Sequence, residues 1–399
     1  MSSTAESQPR LGASGGATDQ LRRRNLSNIL GLVHREGPLP RTDLTRHTGL
    51  NRSTTGDLVA ELADLGLVYE TAPTGGNLPG RPSPIVHPNP SIVTVAVNPE
   101  VDAIHVGLVG LGGHVITHIR LEAATVPSPS EFVRIASAAI AGLLSGRESS
   151  LRVVGTGMAI PGQVRLSDGG VRDATHLDWV EEPLSQLMHD ATGIPTWAAN
   201  AANLGMRAES VFGAGKGIDD VVYFIGGASG IGGGAVTGGR LLTGAAGYAG
   251  EFGHSFVKTR GVACSCGSSG CLEAEVTQAR LLDAVGLSAA EADRLAARLT
   301  TSSDAAVRAL VDEQFELLGI AVRNAVNVFN PQLVILGGFL GDLYQAGESD
   351  GRALSGGAIK AAREDLRFER AALGAEQLMI GAGELVFSAL IDDPVGFVN

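Results

Sequence analysis

The first periodic pattern of apolar residues lies near the N-terminus and predicts helices. Four apolar residues follow the spacing of one helical face: Leu26, Ile29, Leu30 and Val33. This spacing predicts a first helix over residues 21–36, and a shorter helix over 41–47 follows it. The turn TGLN ends at Asn51, whose side chain is suited to capping a third helix that begins at Arg52. Three helices with a glycine-containing turn before the last one predict a helix-turn-helix.

Two segments rich in apolar and β-branched residues follow the third helix and predict a hairpin. LVYETAP covers residues 67–73, and TGGNLPGRPSPIVHP covers a loop and a second strand over 74–88. A hairpin in this place is the wing of a winged helix-turn-helix, so we assign residues 21–90 to that domain. Residues 1–20 are mostly small and polar, and we expect them to form a disordered tail.

From residue 91 onward, apolar strands alternate with longer helices. The alternation predicts an α/β domain over 91–399. We expect helices over 129–145, 277–285, 290–299 and 303–329, and buried strands over 153–160 and 333–340.

Charge is distributed unevenly along the chain. The whole protein carries a net charge of −12, but residues 21–60 carry +4, because seven arginines lie there with three acidic residues. A basic head on an acidic body predicts a DNA-binding module joined to a domain with another role. The candidate DNA contacts lie in the second and third helices and in the wing: Arg41, Arg52, Ser53, Thr54, Thr55 and Arg81.

These candidates are expected to contact DNA in different ways. The four at the start of the third helix are expected to be exposed, since such a helix presents its first residues to the major groove. Arg81 would reach an A·T-rich minor groove from the wing. The alternative is a three-helix interaction module whose arginines are simply solvated.

The chain offers little sign of a membrane or of a disulfide framework. Its N-terminus has no apolar segment of the kind found in signal peptides, and no later apolar run is expected to span a membrane. It has three cysteines, too few for a disulfide framework. A reducing, cytoplasmic location is therefore expected.

The three cysteines predict a metal site. Cys264, Cys266 and Cys271 lie within the segment CSCGSSGCLE. Thiolates so close together suggest zinc, but a closed tetrahedral zinc site takes four ligands. The motif EFGH, at residues 251–254, lies a short distance upstream and contains a nitrogen donor.

Several segments of the body resemble signatures of the ROK family of sugar kinases and sugar-responsive transcriptional regulators. They are GTGMAIPGQV (155–164), NAANLGMRAESVFGAGKG (200–217), GASGIGGGAVTGGRLLTGAAGYAGEFGH (227–254), CSCGSSGCLEA (264–274) and NPQLVILGG (330–338). The resemblance covers about residues 21–399. It implies a two-lobed, actin-like (ribonuclease H-like) ATPase-type sugar-kinase fold behind the winged helix-turn-helix.

The same resemblance implies two sets of site residues. His254 would be the fourth zinc ligand, in a zinc loop over 251–273. Four side chains would hydrogen-bond sugar hydroxyls: Asn200, Glu251, His254 and Glu273. The alternative is that zinc only fixes a loop and the two glutamates are solvated.

The chain departs from the family's kinases at two places. The kinase aspartate that acts as general base corresponds to Ala201, and a methyl group accepts no proton. The kinase phosphate turn Asp-x-Gly-Gly-Thr corresponds to Asn98-Pro99-Glu100, where proline lacks an amide hydrogen and glutamate repels phosphate. The glycine-rich turn GGASGIGGG, at 226–234, is kept and is the remaining argument for nucleotide binding.

The sequence therefore predicts a regulator and not an enzyme. We expect a sequence-specific repressor of carbohydrate-related genes that binds operator DNA, a sugar effector and zinc, as a homodimer or a dimer of dimers. One alternative is a ROK sugar kinase with an accessory DNA-binding head. The other is a regulator that no longer senses sugar.

Overall fold

The computed structural model describes residues 17–72, 83–147, 149–349, 353–354 and 356–398. The chain forms two compact units. We call Met1–Asn89 with Ser388–Asn399 the head, and Pro90–Phe387 the body.

The head contains the predicted helices and hairpin. The four apolar residues of the first helix are completely buried. Asn51 caps the third helix as expected, because its side-chain oxygen accepts a hydrogen bond of 2.9 Å from the amide of Thr54. The strands form an antiparallel sheet in the order β1-β3-β2. The elements are α1 Ala17–Glu36, β1 Leu39–Pro40, α2 Arg41–Thr48, α3 Arg52–Asp64, β2 Val68–Thr71 and β3 Ile85–Pro88.

The observed boundaries of the head differ from the predicted ones at both ends of the chain. Helix α1 begins at Ala17, so residues 17–20 belong to a helix and not to the expected tail. Residues 388–399 belong to the head and not to the domain assigned to 91–399. Contacts hold them there: Arg23 pairs with Asp393 at 3.3 Å, for example. Arg81, predicted in the wing, lies outside the described residues.

The first part of the body builds one five-stranded sheet, in the order β11-β7-β4-β5-β6. Strands β4, β5 and β6 are antiparallel neighbours, whereas β7 and β11 run parallel to β4. The elements are β4 Ile92–Pro99, β5 Ala103–Gly110, β6 His114–Glu122, α4 Pro129–Leu144, β7 Arg152–Ile160, β8 Gln163–Val164, β9 Val171–Ala174, β10 Trp179–Glu182, α5 Leu184–Thr192, β11 Thr196–Asn200 and α6 Ala201–Phe212.

The second part of the body builds another five-stranded sheet, in the order β14-β13-β12-β15-β16. Its strands and the helices around them are β12 Val221–Gly227, β13 Gly230–Thr237, β14 Arg240–Leu241, α7 Leu272–Glu275, α8 Gln278–Val285, α9 Leu295–Thr301, α10 Ala305–Phe329, β15 Leu333–Gly338, α11 Phe339–Ser349, α12 Lys360–Arg363 and β16 Arg367–Arg370. Two helices follow, α13 Gln377–Asp392 and α14 Pro394–Val398.

The two sheets share one topology. In each, the first three strands form an antiparallel meander, and the next two strands extend the sheet in parallel from its first strand. This repeated arrangement gives the body two lobes, one built on each sheet, as the family resemblance implied. Because ligands of open α/β sheets bind beyond the carboxyl ends of parallel strands, the ends of β7, β11 and β12 are where a site is expected.

Two predicted elements end differently in the structure. The helix expected over 290–299 is a 3-10 helix, Ala289–Arg294, followed by α9. The strand expected over 333–340 stops at Gly338, whose φ of +57° suits glycine and turns the chain into α11. Apolar spacing alone does not separate these cases, since apolar residues of both segments, such as Leu295 and Leu336, pack in one core.

One helical stretch within the described residues is long and apolar enough to cross a membrane. Gly374–Asp392 has 19 residues and a mean hydropathy of 1.2, and 56% of its most apolar part is buried inside the protein. The expectation that no apolar run reaches this length is therefore too strict. A buried core helix passes the same test, so a single stretch is weak evidence for a membrane span.

A buried carboxylate ties α6 to two segments of the second lobe. Glu209 is fully buried and accepts hydrogen bonds from the amides of Ala214, Ala372 and Leu373 at 2.8, 3.1 and 3.0 Å. We expect Glu209→Ala to lower the free energy of unfolding by several kcal/mol, since each buried donor left unsatisfied costs about 1–3 kcal/mol. Thermal melting followed by circular dichroism measures this.

A matched control separates this effect from the loss of a charge. Glu316 is an exposed glutamate elsewhere in the body, so Glu316→Ala should melt like the parent protein. Equal melting temperatures for the two variants would contradict the structural role of Glu209.

Candidate functional site

One pocket of the body, with a volume of about 380 Å³, gathers the predicted sugar-binding residues. Its lining comes from both lobes and from the loop that follows β14. Asn200, Glu251, His254 and Glu273 all contribute to it, and so does Ala201. The structure thus brings together residues spread over 74 positions of the sequence, although their contacts with a sugar remain a prediction.

Asn200 is fixed by the backbone around it. It ends β11 and caps α6, and its side-chain oxygen accepts a hydrogen bond of 3.0 Å from the amide of Asn203. Its side-chain nitrogen donates to the carbonyl oxygen of Gly162 at 2.9 Å. One hydrogen of that nitrogen is left for a ligand, and the orientation of the amide is set before any ligand arrives.

Glu273 lies between two histidines. Its carboxylate oxygens are 3.6 Å from Nδ1 of His254 and 3.7 Å from Nε2 of His176, and its side chain is 8% exposed. Burial opposes ionisation, but the contacts with His176, Cys264 and His254 outweigh it and lower the pKa of Glu273 to about 2. This carboxylate is therefore a permanent hydrogen-bond acceptor near neutral pH.

Glu251 differs from Glu273 in its electrostatic environment. Burial raises the pKa of Glu251, and the nearby His254 offsets part of that effect. The carboxylate of Glu273 adds to the increase. The pocket therefore holds one strongly ionised glutamate and one that is easier to protonate.

The predicted metal ligands form a single cluster. The donor atoms of His254, Cys264, Cys266 and Cys271 all lie within 4.8 Å of one another. The sulfurs of Cys266 and Cys271 are 3.8 Å apart, and the sulfur of Cys264 is 3.6 Å from Nδ1 of His254.

These separations match a tetrahedral zinc ion. With Zn–S bonds of about 2.3 Å and Zn–N bonds of about 2.0 Å, two sulfurs lie about 3.8 Å apart and a sulfur and a nitrogen about 3.5 Å apart. Three sulfurs and one imidazole are also the soft and borderline donors that zinc prefers. The arrangement therefore fits a closed structural site, in which Nδ1 of His254 would bind the metal and Nε2 would remain for the pocket.

The loop that carries the cysteines is held by backbone pairing and by one buried carboxylate. Single bridges join Phe256 to Cys271 and Ala263 to Ser269. Glu275, 1% exposed, accepts a hydrogen bond from the amide of Val262 and pairs with a lysine of the same loop. The loop therefore needs specific short-range geometry, which the glycines of CSCGSSGC permit.

Gly270 shows this requirement most directly. Its φ is +73°, and a Cβ there would lie 2.0 Å from the carbonyl oxygen of Lys258. Only glycine fits both the backbone conformation and the close approach of the two chains.

The two departures from the kinase pattern also lie at this pocket. Ala201 is the first residue of α6, and its side chain offers neither donor nor acceptor. Glu100 follows β4 and accepts a hydrogen bond from the hydroxyl of Ser229 in the other lobe. Burial raises the pKa of Glu100 to about 6, with the bond from Ser229 opposing the increase.

Sequence reasoning missed several residues of the pocket. Asp173 and His176 line it, yet neither belongs to a segment expected to bind a ligand. Ser229 also lines it, although its glycine-rich turn was connected only with nucleotide. The sequence identified Glu100 only as one of the residues that replace the kinases' phosphate turn, and not as part of a pocket. No local signal marks these positions, because each reaches the pocket through the packing of two lobes.

The DNA-contact candidates of the head differ in exposure. Arg52 and Ser53 are exposed at the start of α3, and Thr54 is partly buried. Thr55 is 1% exposed, which corrects the expectation that it faces DNA. Its hydroxyl donates to the carbonyl oxygen of Asn51 at 3.0 Å and lies 3.3 Å from the hydroxyl of Thr45, so it joins α3 to α2.

Many arginines of the head are already paired with carboxylates. Arg41 pairs with Glu70, and Arg46 pairs with Asp43. Arg22 and Arg23 also have acidic partners. Arg52, in contrast, has no ion pair within the part of the chain that the structure describes. Arg52 is therefore the basic residue of α3 that can contact a phosphate or a base of DNA.

Comparison with known proteins connects these observations. Residues 95–388 match the ROK family. The xylose repressor of Caldicellulosiruptor bescii is 27% identical over 326 residues, which cover 77% of this chain and 81% of the repressor.

Solved structures show the same fold. A ROK family transcriptional regulator, a homologue of the E. coli MLC protein, superposes with a TM-score of 0.76 at 24% identity, over 95% of this chain and 99% of the other. A ROK family glucokinase from Streptomyces griseus, in complex with glucose and AMPPNP, superposes with a TM-score of 0.62 at 25% identity, over 74% of this chain and 99% of the other. The predicted two-lobed, actin-like fold is thereby confirmed.

Proposed function

The chain belongs to the ROK family, and we propose that it is a DNA-binding transcriptional repressor of carbohydrate-related genes whose body binds a sugar effector. The observation that carries this proposal is the helix-turn-helix head in the same chain as the ROK body. The likeness to a xylose repressor supports it. Such a protein would act in the cytoplasm, where its operator DNA lies.

The head would bind operator DNA through the first residues of α3. Arg52 and Ser53 are exposed there, while Leu58 and Leu62 of the same helix are buried in the head. An exposed N-terminal turn on a helix anchored by its other face suits insertion into the major groove. Thr54 is the neighbouring polar candidate, and Arg81 remains one for the wing.

The body would sense the sugar. Asn200, Glu251, His254 and Glu273 offer donors and acceptors for hydroxyls around one pocket. A zinc ion held by His254 and the three cysteines would fix the loop that carries the two glutamates. A sugar that prefers one arrangement of the lobes would shift the population of body conformations. In a homodimer, or a dimer of dimers, that shift would change the spacing of two heads and hence operator affinity.

The test is binding of a selected operator with and without sugars. Operator DNA is first enriched from random sequences with the full chain, and its affinity is then measured by fluorescence anisotropy. One sugar of the panel, with xylose and glucose included, should change operator affinity by about 5–150-fold, the usual range of coupling between sites. An affinity unchanged by every sugar would support a regulator that no longer senses them.

A sugar kinase is the second candidate, and one feature favours it. The glycine-rich turn between β12 and β13 is present, and the chain resembles a glucokinase in structure. Ala201 and Glu100 count against this function, because a kinase needs a base near the sugar hydroxyl and a cradle for phosphates.

We expect no sugar-dependent release of ADP from Mg-ATP by the native chain. The absent base alone would cost about 10²–10⁴-fold in rate. Ala201→Asp should restore a carboxylate yet stay inactive, because Asn98-Pro99-Glu100 still offers no phosphate cradle. A coupled enzyme assay over a broad sugar panel measures both proteins. Turnover by the native chain would overturn the assignment as a regulator without catalytic activity.

A further inference from the structure

The pocket of the body is lined by acidic side chains without a basic counterpart. Its carboxylates are Glu100, Asp173, Glu251 and Glu273. The lining includes two imidazoles, of His176 and His254, and no lysine or arginine among the residues that the structure describes. A site built for a phosphorylated ligand carries arginine or lysine, because these side chains bind phosphate oxygens directly.

Each of the two imidazoles already directs one ring nitrogen toward a partner in the protein. His254 directs Nδ1 toward the sulfur of Cys264, at 3.6 Å, within the metal cluster. His176 directs Nε2 toward Glu273, at 3.7 Å. A proton on His176 therefore neutralises the negative charge of Glu273. It leaves no net positive charge that would attract an anionic ligand.

Glu100 is fixed in place from the opposite lobe. The hydroxyl of Ser229 donates to its carboxylate, and the same hydroxyl accepts a hydrogen bond of 3.3 Å from the amide of Val101. Ser229 therefore holds Glu100 at the pocket wall. The negative charge there has a defined position where the family's kinases have their phosphate turn.

One feature of the pocket favours the binding of an anion. Helix α6 begins at Ala201 in the pocket wall, and a helix N-terminus carries roughly half a positive charge. Asn200 already accepts from the amide of Asn203, which satisfies part of that terminus. Half a charge does not offset four carboxylates, so repulsion of anions prevails.

We infer that this pocket selects an unphosphorylated sugar, neutral or amino-substituted, over the phosphorylated form of the same sugar, and that Glu100 is a specificity-determining residue. This inference rests on the proposed sugar-sensing function. It goes beyond that function in naming the charge class of the effector. The hydroxyl-binding residues recognise what both forms share, whereas Glu100 distinguishes them.

The test compares matched pairs of sugars by calorimetry at pH 7.5 with the metal-loaded full chain. The probes are glucose and glucose 6-phosphate, N-acetylglucosamine and its 6-phosphate, and glucosamine and its 6-phosphate. In any pair that binds, the phosphorylated member should bind at least about 100-fold more weakly, since like charges in a partly buried site repel strongly.

A conservative variant tests Glu100 itself. Glu100→Gln keeps the shape and can still accept from Ser229. Both affinities of each pair are measured, and the variant should tighten phosphosugar binding by about 10-fold relative to the unphosphorylated sugar. Glu316→Gln, at an exposed position, is the matched control and should change neither affinity. Unchanged discrimination in Glu100→Gln would remove Glu100 from the argument.

The outcomes separate this inference from the function on which it rests. A phosphosugar that binds as tightly as its parent sugar, or more tightly, overturns the inference and leaves sugar sensing intact. If no sugar of either kind binds, while the same preparation binds operator DNA, sugar sensing itself is wrong and the inference falls with it.

Discussion

Replacing Cys266 by serine should release the metal from the body and lower its melting temperature by about 10 °C. Cys266 is exposed, whereas Cys264 and Cys271 are buried, so the lost side chain contributes little packing of its own. The effect would come from the metal, whose binding energy is folding energy when the loop has no other support. A loss of roughly 4 kcal/mol corresponds to a shift of this size in a domain of a few hundred residues.

Elemental analysis and thermal melting measure the two parts of this prediction. The native chain, purified without added metal, should contain one zinc per chain, and Cys266→Ser should contain none. Ser268→Ala changes a side chain of the same loop outside the donor cluster and should keep both the zinc and the melting temperature. A metal-free native chain with unchanged melting and unchanged sugar binding would show that the cluster is not a structural metal site.

Loss of zinc should also weaken any sugar binding in the pocket of the body. Glu273 lies close in sequence to the predicted cysteine ligands, and His254 belongs to both the cluster and the pocket wall. Losing the groups that support a metal site typically costs about 10–100-fold in metal affinity or activity, and we expect a loss of sugar affinity of that order. Calorimetry with whichever sugar binds the native chain measures this second effect.

Local signals were enough to predict the three helices and the hairpin of the helix-turn-helix. The spacing of Leu26, Ile29, Leu30 and Val33 and the cap at Asn51 act within one or two helical turns, so the sequence displays them directly. The same holds for the donor cluster, since three of its four members lie in one short loop. Interactions of this range depend little on the rest of the fold.

Longer-range packing decided what the sequence did not reveal. Thr55 looks like a polar residue at an exposed helix start, yet its hydroxyl is buried because α2 packs against it. Ser229 and Glu100 meet only because two lobes close on one another, 129 residues apart in sequence. Residues 388–399 likewise join the head through tertiary contacts. Periodicity carries no information about such contacts.

Arg52→Ala should weaken binding to the selected operator by about 10–100-fold, because a base contact of good geometry is worth about 1–3 kcal/mol. Arg52 is exposed at the start of α3 and has no ion pair among the described residues, so its charge and hydrogen-bond donors are available to DNA. On random DNA the same variant should lose affinity only a few-fold, because it removes one positive charge. The readout is fluorescence anisotropy with both DNAs at one salt concentration.

Arg24→Ala provides the matched control, since Arg24 is also exposed but lies on α1. Arg24→Ala should weaken binding to both DNAs equally and only slightly, because it removes one sequence-independent attraction to the phosphates. The native head should also lose about 10³-fold in operator affinity between 50 and 200 mM salt, because arginine–phosphate contacts release counterions. If Arg52→Ala weakened operator and random DNA by the same factor, Arg52 would be a phosphate contact. Sequence reading would then have to come from Ser53, Thr54 or the wing, where Arg81 is the remaining candidate.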